Sequence, residues 1–107
     1  MKSPMKHSFK PILIRKVRSP SMAPKLRPGQ WIIATRLFRK LRPGEVVIIE
    51  KNHKQLIKRI ERIEHIEGRE RLFVIGDNLN ASADSRQFGW LSRDAVIARV
   101  LRPNLAK

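Results

Sequence analysis

The sequence is divided into short apolar runs by turn signals, and two of these turns are nearly identical. The residues Leu-Arg-Pro-Gly occur at 26–29 and again at 41–44, and each copy is followed closely by a run rich in β-branched residues. Proline presets the backbone at the first turning position, and glycine accepts the positive φ that the next position often requires. Because turn signals recur about every ten residues, the sequence predicts a mostly β domain built from hairpins.

Five runs have the β-branched and apolar content that is typical of strands. They cover residues 12–17, 31–35, 46–50, 71–78 and 95–101. A chain of 107 residues is long enough for one domain with one modest core. We therefore expect a single folded domain over residues 11–107, preceded by a basic flexible arm over residues 1–10.

The segment 55–67 is compatible with two structures. Its apolar residues occur at positions 56, 57, 60, 63 and 66, which is the spacing of an amphipathic helix, but the same letters also permit a strand. On a helix, Lys58 points about 200° away from Leu56 and into solvent. On a strand, Lys58 shares one face with Leu56 and Ile60, and burial between them would lower its pKa.

The chain is strongly basic, with 24 Lys and Arg against 9 Asp and Glu and a formal net charge of +15. A charge of this sign and size favours contact with polyanions or with an anionic membrane surface. The basic residues are spread along the chain and do not form one block. We therefore retain peripheral contact with an anionic membrane as a prediction and do not expect nucleic acid as a partner.

The composition excludes several kinds of site. The chain has no cysteine, and its three histidines lack the spacing of metal ligands, so we predict no metal site and no cofactor. No run approaches the roughly 18–20 apolar residues that cross a bilayer, and the N-terminus does not have the pattern of a secretory signal. We expect a soluble or membrane-peripheral protein without a transmembrane segment, with the cytoplasm as the favoured location.

A candidate nucleophile lies in the stretch Ser-Pro-Ser-Met-Ala-Pro, residues 19–24. A serine hydroxyl is a weak nucleophile that needs a general base, and a lysine can be that base when it is neutral. A neutral lysine at ordinary pH requires desolvation. Ser21 and Lys58 are the candidate pair. Spacing alone does not bring them together, so an ordinary turn serine and a solvated lysine remain the alternative reading.

Three stretches occur in the order of the conserved boxes of type I signal peptidases and their relatives. They are SPSMAP at 19–24, LIKRI at 56–60 and GDNLNASADSR at 76–86. From about Val17 to Leu101 the chain closely resembles this family of Ser–Lys proteases. It looks most like the small soluble branch that includes the maturation proteases of nickel superoxide dismutase. The resemblance implies a coiled, partly closed antiparallel sheet in which residues 55–63 form a strand.

The resemblance also implies a role for individual residues. Ser21 would be the nucleophile, and Lys58 would be the general base that takes its proton and passes it to the leaving amine. The backbone N–H of Ser21 and the hydroxyl of Ser19 would form the oxyanion hole. Ser82 would orient the Lys58 amine by a hydrogen bond.

The remaining implied roles concern the surroundings of this pair. Asp84 and Arg86 would form an ion pair that fixes the Gly-Asp-Asn loop, with Asp77 as a structural residue near the site. Met22 would line the substrate pocket. The implied activity is a serine endopeptidase that removes an N-terminal leader or maturation peptide from a protein substrate, which binds as an extended strand and needs no cofactor.

The chain departs from the family pattern at the nucleophile. Pro20 stands where glycine is usual, and it removes a backbone donor and fixes φ. Lys25 stands where threonine is usual. Two alternative functions remain open: a catalytically inactive, basic binding module on the same core, and a repressor-type autoprotease. The autoprotease is disfavoured because only about sixteen residues precede the core.

Overall fold

The computed structural model describes residues 10–81 and 83–103, and these form one antiparallel sheet with a few short helical turns. The helical turns are α1 (Ser85–Phe88) and three 3-10 segments, Pro20–Met22, Leu79–Ala81 and Arg93–Ala95. The strands of the described residues are β1 (Ile12–Lys16), β2 (Trp31–Thr35), β3 (Val46–Lys51), β4 (Lys54–Ile66), β5 (Arg69–Ile75), β6 (Leu91–Ser92) and β7 (Val96–Arg102).

The mostly β architecture predicted from the sequence is confirmed. All five predicted strands are present, and the doubtful segment is the long strand β4, so the helical interpretation of its spacing is wrong. The short strand β6 was not predicted. Residues 1–9 of the predicted arm lie outside the described residues.

The sheet is open and strongly coiled. Its strand order is β1-β2-β7-β3-β4-β5-β6, with every pair antiparallel, so β1 and β6 are the edge strands. Three strands separate β1 from β4 in this order, yet Arg15 Nε on β1 donates a hydrogen bond to Gln55 Oε1 on β4 at 2.9 Å. The right-handed twist of strands accumulates into this curvature. It produces a cleft between β1 and the start of β4.

The core is built on both faces of β3, the central strand. Val46 and Ile48 belong to one cluster of buried side chains, which also contains Met22 from the turn after β1. Val47 and Ile49 belong to a second cluster on the opposite face, with Ile60 from β4. Because side chains alternate across a strand, an apolar run of this kind fits a strand that is covered on both sides.

The two Leu-Arg-Pro-Gly segments form the same turn. Gly29 and Gly44 have φ of 93° and 96°, and in each turn the residue after glycine donates its N–H to the arginine carbonyl (Gln30 to Arg27, 3.1 Å; Glu45 to Arg42, 3.2 Å). Proline followed by a positive φ is the signature of a type II turn, in which glycine meets no steric penalty. The sequence repeat therefore encodes a repeated turn, as predicted.

A two-residue turn between β3 and β4 fixes the position of Lys58. Asn52 and His53 both have positive φ (52° and 65°), and the strands continue on either side with Lys51 opposite Lys54. Two positive φ values are typical of a type I′ hairpin turn, whose twist matches that of the strands. Counting from this turn, the register sets Lys58 opposite Val47.

Within the described residues, no helix is both long enough and apolar enough to span a bilayer.

Candidate active site

Ser21 lies in the 3-10 segment that joins β1 to β2, and its side chain is buried with 6% of the residue exposed. Ser19 caps the segment: its Oγ accepts a hydrogen bond from the Ser21 N–H at 3.1 Å. Pro20 occupies the first helical position, where a missing N–H costs nothing because that donor has no partner within a helix. The unusual proline is thus accommodated and does not distort the turn.

The Gly-Asp-Asn loop holds this turn from the other side. The Asn78 N–H donates to the Ser21 carbonyl at 2.8 Å, and Asn78 Nδ2 donates to the Pro20 carbonyl at 3.1 Å. The Asp77 N–H points at Met22 Sδ at 3.4 Å. Sequence reasoning missed the part played by Asn78, although the third letter of its Gly-Asp-Asn motif was the available signal.

Lys58 is a buried lysine, with 2% of the residue exposed. On β4 it shares a face with Leu56 and Ile60, as the strand alternative required. Burial removes water from the ammonium and thereby lowers the pKa of Lys58; the nearby Asp84 carboxylate opposes this shift and the Arg86 guanidinium adds to it. Lys58 is therefore easier to deprotonate than a lysine in solvent.

Ser21 and Lys58 line the same cavity, which has a volume of about 320 Å³ and is open to solvent on one side. One wall is the edge of β1 and the residues after it, 15–19; the opposite wall is the start of β4, residues 55–58. Met22, Ile48 and Ala83 complete the lining. Met22 is also part of the core and only 1% exposed, so it contributes a small surface to the cavity.

Asp84 and Arg86 form an ion pair beside Lys58. Both guanidinium contacts are made, from Arg86 Nε to Asp84 Oδ1 at 2.9 Å and from Arg86 Nη2 to Oδ2 at 2.8 Å. The same carboxylate accepts the Gly76 N–H at 2.9 Å, and Arg86 Nη2 also reaches the Leu79 carbonyl at 3.2 Å. The pair ties both ends of the Gly-Asp-Asn loop to the start of α1.

A second ion pair, between Arg59 and Asp77, joins the Gly-Asp-Asn loop to β4. Arg59, next to Lys58 on β4, donates to both carboxylate oxygens of Asp77 at 2.8 Å and to the Gly44 carbonyl at 2.6 Å. Arg59 is buried, and bidentate pairs of this kind hold both partners in one geometry. The sequence showed Asp77 as a loop residue but gave no signal for its partner.

The predicted oxyanion donors face each other in this conformation. The Ser21 N–H donates to Ser19 Oγ, so in this conformation the two groups bond to each other and not to a third atom. The Ser19 hydroxyl keeps its own proton to donate. Ser82, the predicted orienting residue for Lys58, lies outside the described residues. Among the residues that the structure describes, no three His, Asp or Glu side chains form a metal-binding group.

Comparison with known proteins agrees with the resemblance over part of the chain. The family model described as signal peptidase, peptidase S26, matches residues 61–103. This match covers less than half of the chain and is a similarity to the signal peptidase family over that part alone. The matched region contains Asp77, Asp84 and Arg86 but neither Ser21 nor Lys58. No curated protein matches the chain.

Proposed function

We propose that this protein is a serine endopeptidase in which Ser21 and Lys58 act as a catalytic dyad. The observation that carries the proposal is their meeting at one cavity, from segments distant in the sequence, with the pKa of Lys58 lowered by burial. A serine hydroxyl and an easily deprotonated lysine amine at one cavity can act as the nucleophile and the general base in attack on a peptide bond.

The reaction would proceed through an acyl-enzyme. Neutral Lys58 Nζ takes the proton of Ser21 Oγ as the oxygen attacks the scissile carbonyl carbon. The resulting ammonium then returns the proton to the leaving amine, and water hydrolyses the ester by the reverse sequence. Ser82 retains its proposed role in orienting the Lys58 amine.

The oxyanion that forms would be stabilised by the Ser21 N–H and the Ser19 hydroxyl. Rotation of the Ser19 side chain would release the Ser21 N–H from its present acceptor, 3.1 Å away, and turn both donors to the substrate oxygen. Hence the oxyanion hole of this enzyme would be completed when substrate binds.

The main chain around the cavity is suited to an extended peptide. Directly after β1, the Val17 N–H and carbonyl bond to Gln30 and Gly29, so by the alternation of an antiparallel pair the main-chain groups of Lys16 point away from β2. On β4, pairing with β5 begins only at Arg59, so the edge of residues 54–57 is not paired with β5. A substrate strand could bind between these two edges.

The substrate would be a protein with an N-terminal leader or maturation peptide. This finer assignment, and the placement near the maturation proteases of nickel superoxide dismutase, rests on the family resemblance and on the compact core around the cavity. Substrates of the family carry small residues before the cleaved bond, and the proposal extends this preference to the present protein.

The proposal is tested with a library of peptides that carry small residues before the cleaved bond, with products read by mass spectrometry. Wild type should cleave a subset, and Ser21→Ala should reduce cleavage below detection. Ser92→Ala is the matched control, because Ser92 caps a distant 3-10 segment and should leave cleavage unchanged. Equal cleavage by wild type and Ser21→Ala would refute the dyad. Cleavage by neither would favour an inactive binding module.

We also propose peripheral contact with an anionic membrane through the outer face of β1 and β2, here called the apolar face. Ile14 and Ile33 lie opposite each other on it, as do Lys16 and Trp31, and all four side chains are exposed. Trp31 is 60% exposed with Lys16 Nζ 5.8 Å from its ring centre. An apolar surface edged by cations suits the interface of an anionic bilayer, where tryptophan also prefers to lie.

A further inference from the structure

The walls of the cavity beside Ser21 are unusually basic. Arg15 and Arg18 belong to the β1 wall, and no acidic side chain lines the cavity among the described residues. The asymmetry begins in the sequence, since all nine acidic residues follow position 44. The hairpin of β1 and β2, which carries the proposed nucleophile, therefore contains basic residues but no acidic ones.

Among the residues that the structure describes, no carboxylate pairs with the basic side chains of this wall. Arg15 donates from Nε to Gln55 Oε1 and from Nη1 to the Ile14 carbonyl at 3.1 Å, and both acceptors are neutral. These bonds use two of its five N–H donors. Lys16 lies over the Trp31 ring, and Arg18 is exposed with no carboxylate partner in the described part of the chain.

The carboxylates that could pair with these basic side chains are already paired with other residues or lie outside the cavity. Asp84 is fully buried and paired with Arg86, and Asp77 is paired with Arg59. Glu50 is the closest acidic residue in the strand register, opposite Gln55, but it is exposed and does not line the cavity. The cleft consequently has a positive potential that its low-dielectric walls concentrate.

We propose that the cleft selects acidic peptides: the segment that binds beside Ser21 carries Asp or Glu side chains that pair with Arg15 and Arg18. This inference rests on the proposed function and narrows its substrate class. Such residues would occupy positions of the substrate strand whose side chains reach the guanidinium groups of Arg15 and Arg18. Arg15 is already held in place by Gln55, so a carboxylate meets a guanidinium whose position is largely fixed.

The test compares matched peptides around a sequence that the wild type cleaves. Asp or Glu is placed at each of about four positions on either side of the cut, against Asn or Gln at the same position, and kcat/KM is measured for each pair. We expect a preference of about three- to fivefold for each favourable acidic residue at low salt, which decreases as salt screens the exposed partner. Arg18→Glu should abolish or invert the acidic-to-neutral ratio.

The control is Arg69→Glu, which changes the net charge by the same amount. Arg69 is exposed and lies beside Ile66 at the far end of β4 from the cleft, so the ratio should be unchanged. Binding of the same peptide pairs to Ser21→Ala, followed by calorimetry, supplies a readout that does not need catalysis.

The outcomes separate the inference from the proposed function. Equal kcat/KM for acidic and neutral peptides, or a ratio unaffected by Arg18→Glu, would overturn the acidic specificity and leave the protease intact. Absence of all cleavage, with acidic peptides still bound preferentially and released by Arg18→Glu, would overturn the protease and leave the specificity. Neither cleavage nor selective binding would overturn both.

Discussion

Burial of Lys58 favours the proposed role of its amine as a base, but it costs free energy of folding while the amine is charged. A lysine on the surface binds its proton up to a pH near 10.5, whereas Lys58 is buried and its pKa is lowered, chiefly by desolvation. Asp84 limits this shift by attracting the ammonium, and Arg86 reinforces it. The competition between burial and these two charges therefore sets the pH at which the amine becomes a base.

Cleavage should rise with pH through the lowered pKa of Lys58 and then level off, because only the neutral amine accepts the Ser21 proton. Lys58→Arg should be inactive at every pH, since the guanidinium stays charged, and Lys58→Met should lose about 10²–10⁴-fold in kcat/KM. Lys40→Arg, at an exposed lysine that does not line the cavity, is the matched control and should behave as wild type. A flat pH profile in the chemical step would contradict the assignment of the base.

The stability of the fold should depend on pH through the same residue. The unfolded chain holds the Lys58 proton up to about 10.5, whereas the folded chain releases it at lower pH. Below the folded pKa the ammonium is buried at full cost. Between the two pKa values the unfolded state binds more protons, so the free energy of unfolding rises with pH.

Urea denaturation of wild type and Lys58→Met at several pH values measures this effect, because the difference cancels the titration of other groups. The wild type should gain stability relative to Lys58→Met as pH rises towards 10.5. A difference that is constant with pH would mean that the pKa of Lys58 is the same in the folded and unfolded chains.

At the scale of elements, β4 explains why a strand has the spacing of a helix. A bulge lies between Ile60 and Arg62, so three residue steps on β4, from Ile60 to Ile63, match two steps on β5, from Val74 to Leu72. Ile60 and Ile63 therefore face the same cluster although an odd number separates them. Leu56 and Ile57 are neighbours in the sequence and face opposite clusters, so two consecutive apolar residues also fit a strand that is covered on both sides.

Two isoleucine substitutions distinguish the strand from the helix. Ile60 is 1% exposed and Ile66 is 46% exposed, whereas one apolar helix face would bury both. Ile60→Ala should lower the free energy of unfolding by about 2–5 kcal/mol, and Ile66→Ala by less than about 1 kcal/mol. Chemical denaturation measures both values, and similar losses at the two positions would contradict the strand.

Across the whole molecule, the part of the chain without acidic residues also contains the hairpin of β1 and β2, which exposes apolar side chains. The first 44 residues contain no acidic residue, and the apolar face formed by β1 and β2 lies within them. The outer side of this hairpin is suited to a membrane surface, and the cleft side is suited to an acidic peptide. Both proposed partners would therefore meet the part of the molecule that carries the nucleophile.

The protein should sediment with vesicles that contain phosphatidylglycerol and not with vesicles of phosphatidylcholine alone, and salt should weaken the binding. Ile14→Ser combined with Trp31→Ser should reduce binding at least about tenfold, because it removes two exposed apolar anchors. Ile14→Ser combined with Leu79→Ser is a weaker perturbation, since Leu79 is 58% exposed but lies outside the apolar face. Equal losses for the two double variants would count against this surface.

Much of the fold follows from local signals in the sequence. The turn signals and the β-branched or apolar runs between them predict five strands, because turn chemistry and alternation act over a few residues. The candidate site residues Ser21, Lys58, Asp84 and Arg86 follow from the resemblance of three short sequence motifs. The contacts of Arg59 and Asn78 are not predictable in this way, since they join segments that are distant in the chain.

The sequence by itself determined the set of turns, the strand-forming runs and the excess of positive charge. It also contains a serine and a lysine within motifs that resemble those of a known family. The spacing of residues 55–67 permitted a helix or a strand, and the family resemblance implied a strand over 55–63; the tertiary structure confirms the strand as residues 54–66, because the bulge and two neighbouring strands outweigh the helical spacing. It also decided that Lys58 is buried and shares a cavity with Ser21, since burial and proximity depend on how a coiled sheet brings β1 back towards β4.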